Sequence, residues 1–99
     1  MVVRIYKFEK VDYSKLQKTV GQDHFARNGY IVRDGKVLGV SNDDAYYLYV
    51  DAPDEFFKTH ESEITEAGGK LVEGPEYESV KSKIEEEENN VATGLALFG

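Results

Sequence analysis

Hydrophobic and polar positions recur along the chain with two periods, close to two and close to 3.6, and the switches between them outline alternating strands and helices. From Val2 to Phe8, Val3 and Ile5 fall on one side and Tyr6 and Phe8 on the other, which fits a strand covered on both faces. Asp12 stands at an N-cap position ahead of a stripe of Tyr13, Leu16 and Val20; Val11 and Leu16 are spaced as a hydrophobic staple, and Gly21 marks the helix end. Tyr30 to Arg33 and Lys36 to Val40 flank Asp34-Gly35, a dipeptide favoured in two-residue hairpins, and predict a pair of strands. Ser41 to Asp44 is a polar turn, after which Ala45 to Val50 reads as a central strand with Tyr46, Leu48 and Val50 on one face and Tyr47 and Tyr49 on the other.

Asp51 to Glu55, with Pro53 inside it, reads as a helix start, because Pro suits the first turn and carboxylates complement the dipole there. Phe56, Phe57, His60, Ile64 and Ala67 continue at helical spacing until Gly68-Gly69, and a short strand follows at Lys70 to Glu73. Beyond Gly74-Pro75 an apolar stripe of Tyr77, Val80, Ile84, Val91, Leu95 and Phe98 is interrupted by Glu87 and Asn89-Asn90, so one long helix and two short ones both fit. The predicted order is β-α-β-β-β-α-β-α. It implies an α+β fold: one antiparallel sheet with helices packed on one face, in a ferredoxin-like or related split βαβ arrangement. This topology hosts enzymes, regulators and binding proteins alike, so function has to be read from residues.

The chain of 99 residues suits a single globular domain, 1–99, without an internal repeat or dividing linker. The absence of cysteine excludes disulfides, thiolate metal sites and cysteine nucleophiles. No secretory signal pattern is present at the N-terminus, and no apolar run approaches the length of a membrane span, so the expectation is a cytoplasmic, non-membrane protein. The formal charge of −7 argues against binding duplex nucleic acid. That charge is uneven: residues 1–50 hold eight bases and six acids, residues 51–99 four bases and thirteen acids, so the halves carry +2 and −9. Such asymmetry points to a solvated acidic helix face, a basic protein partner, a cation site, or apposition of two copies.

Three groups of residues carry possible chemistry. The first is carboxylate: Asp51, Asp54 and Glu55 at the helix start, Asp43 and Asp44 at the other end of the central strand, and Glu85 to Glu88, with Glu85 and Glu88 the outer members of that run. Oxygen-only sets of this kind suit Ca²⁺ or Mg²⁺, although the spacing of an EF-hand is absent. The second is His24, between Asp23 and Phe25 and near Arg27, where a carboxylate-oriented imidazole beside a guanidinium offers acid-base and oxyanion-stabilising catalysis. His60 lies on the apolar stripe as a boundary or core residue, and joining it to His24 as metal ligands requires a contact only the fold can supply. The third is aromatic: Tyr6, Phe8, Tyr30, Tyr46, Tyr47 and Tyr49 interleave with Arg4, Lys7 and Arg33, an arrangement that would stack single-stranded nucleic acid if the sheet were open.

The apolar tail Val91 to Gly99 calls for a docking place, in the protein's own core or in a homodimer. No Gly-rich phosphate loop, dinucleotide fingerprint or nucleophile elbow is present. The leading expectation is a non-enzymatic acidic binding module that engages divalent cations or a basic protein through the carboxylates of its second half. The alternative is a small enzyme built on His24, Asp23 and Arg27.

Overall fold

The computed structural model describes residues 2–39 and 44–98, with side chains as far as residue 87. Strand β1 (Val2–Glu9) leads through a 3₁₀ turn into α1 (Tyr13–Val20) and α2 (Asp23–Ala26), then β2 (Gly29–Asp34) and α3 (Gly35–Leu38). Strand β3 (Ala45–Ala52), α4 (Asp54–Glu66), β4 (Lys70–Leu71) and α5 (Gly74–Phe98) follow. The four strands form one antiparallel sheet in the order β2-β3-β1-β4. With α1–α2 joining β1 to β2 and α4 joining β3 to β4, the core is the β-α-β-β-α-β split arrangement. The α+β class read from the sequence therefore holds.

Pleat alternation divides the core in two. Tyr6, Phe8, Leu48, Val50 and Ala52 point to one face, where they pack with Leu16 and Val20 of α1, Phe25 of α2 and Phe56, Phe57 and Ile64 of α4. Ile5, Tyr47 and Tyr49 point to the other face, where they meet Leu38 of α3, Val72, and Val80 and Ile84 of α5. The expectation of helices packed on one face is corrected: both faces are covered, as the alternation of β1 requires, and α3 and α5 provide the second cover. The face pattern of β3 matches its residue alternation throughout. Covering both faces also buries the sheet aromatics, Tyr6, Phe8, Tyr47 and Tyr49, so they form no open stacking platform.

The predicted hairpin at Asp34-Gly35 is replaced by a single helical turn. The Asp34 carboxylate accepts a hydrogen bond from the Lys36 backbone N–H at 2.8 Å, an N-cap contact, and Gly39 closes the turn in the left-handed region at φ 75°. Gly35 does not take the positive φ that a two-residue hairpin demands of it. The predicted order β-α-β-β-β-α-β-α therefore loses a strand at Lys36–Val40, of which residues 36–38 are helical and Val40 lies outside the described residues. Two smaller expectations also change. Asp12 makes no side-chain capping bond, and Val11 is 80% exposed, so the staple with Leu16 does not form. The last helix is continuous from Gly74 to Phe98.

Candidate metal centre

Helix α2 has four residues, too few to hold itself together, and Phe25 is its one buried side chain. Phe25 is fully buried and meets Phe56 of α4 edge-on, with ring centroids 5.1 Å apart. This contact docks α2 on α4 and brings His24 over His60, where the two imidazoles stack at 4.0 Å with planes 16° apart. His60 and Glu63 are three residues apart on α4 and share a helix face. A single carboxylate oxygen, Glu63 Oε2, lies 2.7 Å from His60 Nδ1 and 3.0 Å from His24 Nε2. Asn28 fixes the end of α2 by donating from Nδ2 to the His24 carbonyl at 2.8 Å.

Two imidazoles and a carboxylate, each offering one ligand atom, thus come within 4.8 Å of one another, the one such grouping among the described residues. All three side chains are about one quarter to one third exposed, at 30%, 25% and 33%, so an ion has access without dismantling the core. Two nitrogen donors and one oxygen suit a borderline cation such as Zn²⁺, Co²⁺, Ni²⁺ or Fe²⁺, whereas Ca²⁺ and Mg²⁺ favour oxygen sets. Imidazole lone pairs lie in the ring plane, so near-parallel rings present them side by side. Closing the cluster on one ion requires rotation about χ2, a soft torsion.

His24 of the sequence-predicted catalytic group finds its carboxylate in Glu63, thirty-nine residues away in sequence, and not in its neighbour Asp23. Asp23 and Arg27 are exposed. The carboxylates read as possible Ca²⁺ or Mg²⁺ ligands are mostly engaged by basic groups. Asp54 lies 3.7 Å from Arg4 and 3.3 Å from Lys58, and Glu55 lies 3.8 Å from Lys58. Asp44 pairs with Lys36 at 2.6 Å, and Glu85 accepts from the Tyr49 hydroxyl at 2.8 Å and from Lys81 at 3.2 Å. Asp51 has a buried Oδ1 without a hydrogen-bond partner among the described residues, yet it joins no ligand cluster there. Asp43, the Glu88 side chain and the side chains of the Val91 to Gly99 tail lie outside the described residues.

The charge asymmetry has an internal counterpart. Arg4 pairs with Asp54 and Glu61, Lys7 with Glu76, and Arg33 with Glu87, so bases of β1 and β2 meet acids of α4 and α5. Tyr6 donates to Glu61 from beneath α4; burial, and then this bond, push its hydroxyl well above the ordinary tyrosine range. These pairs tie each sheet face to its helix. Exposed pairs of this kind contribute little individually, and they serve to set helix orientation.

Glu63, the third member of the candidate cluster, is not among the residues that the sequence singles out. The spacing His60-x-x-Glu63 on an evident helix was its only local signal. No helix among the described residues is long and apolar enough to cross a membrane. No family model matches the chain, and no curated protein or solved structure shows a significant likeness to it.

Proposed function

We propose that this protein is a small divalent-metal-binding module whose centre is His24, His60 and Glu63. The observation that carries the reading is the convergence of three ligand atoms from two helices within 4.8 Å. It keeps the cation-binding class expected from the sequence but moves the site from oxygen clusters to a nitrogen-rich one, and the preferred ion from Ca²⁺ or Mg²⁺ to the Zn²⁺ class. Each imidazole must be unprotonated at its ligating nitrogen, so protons compete with the ion and affinity falls on acidification. Phe25 and Phe56 provide the apolar backing that holds the imidazoles in place.

Calorimetric titration with Zn²⁺ tests the proposal. The expected result is one ion per chain with a Kd on the order of 1 μM or tighter. His24→Ala, His60→Ala and Glu63→Gln should each weaken binding by about 100-fold. Replacing Asp54 and Glu55 by Asn and Gln should leave it unchanged. Wild-type affinity in all three cluster variants would contradict the assignment.

A second reading has its own observation. His24 is 30% exposed and hydrogen-bonded to a carboxylate, the arrangement of an oriented general base, with Glu63 in the place foreseen for Asp23 and with Arg27 close in sequence. A metal-free activity abolished by His24→Ala and retained by His60→Ala would favour it over the metal centre.

A further inference from the structure

Glu63 belongs to two features at once. Besides holding both imidazoles, it lines a groove of about 390 Å³ between α1 and α4, together with Lys15, Lys18, Gln22 and Glu66. We infer, resting on the metal reading above, that this groove receives a small oxyanion, a phosphate or carboxylate group, which takes the open coordination position of the bound ion.

Three protein ligands leave at least one position of a tetrahedral ion free, as in sites where the metal meets a substrate or an exchangeable ligand. The charges along the groove decide which ligand enters. Without metal, two lysines face two glutamates and the groove is neutral. With a divalent ion on Glu63, the same surface carries a net charge of two positive units, so metal loading turns a neutral groove into an anion site.

The lysines are available for that role. Lys15 is 64% exposed and, among the described residues, makes only a long 3.7 Å ion-pair contact with Asp12. Lys18 has no ion-pair partner among the described residues, although Glu66 lines the same groove. Lys15 and Lys18 are three apart on one face of α1, and Gln22, at the start of α2, lines the same groove, so two ammonium groups and an amide border it opposite α4. The Thr19 hydroxyl is already committed to the Lys15 carbonyl at 2.9 Å, which leaves the two ammonium groups and the Gln22 amide as donors. A charge-assisted contact from these groups to an anion anchored on the ion gives two-point recognition.

Co²⁺-loaded protein titrated with inorganic phosphate provides the test, read by the visible ligand-field bands of the bound ion and by amide shifts at Lys18 and Gln22. The expected result is a saturable band change with coincident shifts in the groove. The Lys15→Ala/Lys18→Ala variant should bind phosphate about tenfold more weakly and Co²⁺ with unchanged affinity, and Glu66→Gln should bind phosphate more tightly. Failure of Co²⁺ to bind would overturn the metal reading and this inference together. Normal Co²⁺ binding with bands indifferent to phosphate would overturn this inference alone. Equal phosphate affinity with and without metal would also overturn it, by assigning the anion to the lysines.

Discussion

Phe25 links the stability of the fold to the geometry of the proposed metal centre, and its truncation separates the two. A buried aromatic side chain removes about 150–250 Å² from water, or about 4–6 kcal/mol at 25 cal/mol per Å². Measured Phe→Ala losses in cores run at about 3–5 kcal/mol. The lower range applies here, because α2 is held by this side chain and releases from α4 once it is gone, which caps the loss at the docking free energy of α2. With a urea slope of about 1.3 kcal/mol/M for a chain of this size, Phe25→Ala should lower the unfolding midpoint by roughly 2–3 M. Freed from α4, His24 must be ordered anew by the ion, so Zn²⁺ affinity should fall by about 10–100-fold, close to the His24→Ala value. His24→Ala itself, at a partly exposed position, should change the urea midpoint little. Phe25→Leu should give intermediate values of both quantities. Urea titration followed by circular dichroism measures the first and calorimetry the second. A full stability loss in Phe25→Ala with Zn²⁺ affinity within about twofold of wild type would refute the link between α2 docking and the site.

Two further perturbations follow from the packing and the charges. Gly69→Ala should destabilise by about 1–3 kcal/mol in the same urea assay, because the added methyl group would lie 2.7 Å from Ile64 Cγ2 and from Phe8 Cζ and 2.9 Å from the Ile64 carbonyl; a neutral result would show that the β4 approach yields freely. The hydrogen bond from Tyr49 holds the Glu85 carboxyl below its ordinary value of 4.5, with the Lys81 contact adding to the effect against opposing desolvation. Since the folded state lowers this pKa, the stabilisation is present above 4.5 and is lost as pH falls through the lower folded value, so Tyr49→Phe should flatten the acid limb of urea midpoint against pH below about 4.5. An acid limb identical to wild type would assign that pH dependence to other carboxylates.

The strands were legible where alternation was clean. Val3 and Ile5 against Tyr6 and Phe8, and Leu48 and Val50 against Tyr47 and Tyr49, sort onto the two core faces as their parity requires. Asp34-Gly35 misled because the same Asp that starts a hairpin also caps a helix, and the choice fell to the cap bond to Lys36 and to Leu38, which reaches the second core cluster. The proposed metal centre was half legible. His24 stood out as a loop histidine with chemical potential, yet its stacking on His60 depends on Phe25 meeting Phe56 across 31 residues of chain, a tertiary contact with no local signature. The acidic second half looked like a site because charge counts carry no partners; folding brings Arg4, Lys7 and Arg33 against some of those acids, which a count of charges along the chain cannot show.

The central claim concerns which atoms bind an ion, and ¹⁵N NMR of the imidazole nitrogens during Zn²⁺ addition to chelator-treated protein observes those atoms directly. The account predicts saturation at one equivalent, with large shifts at His24 Nε2 and His60 Nδ1, the nitrogens that face Glu63, a matching backbone-amide shift at Glu63 in the same ¹⁵N-labelled sample, and no saturable response to Ca²⁺ or Mg²⁺. Imidazole resonances that stay fixed while Asp51, Asp54 and Glu55 respond, or a spectrum indifferent to Zn²⁺, would contradict it.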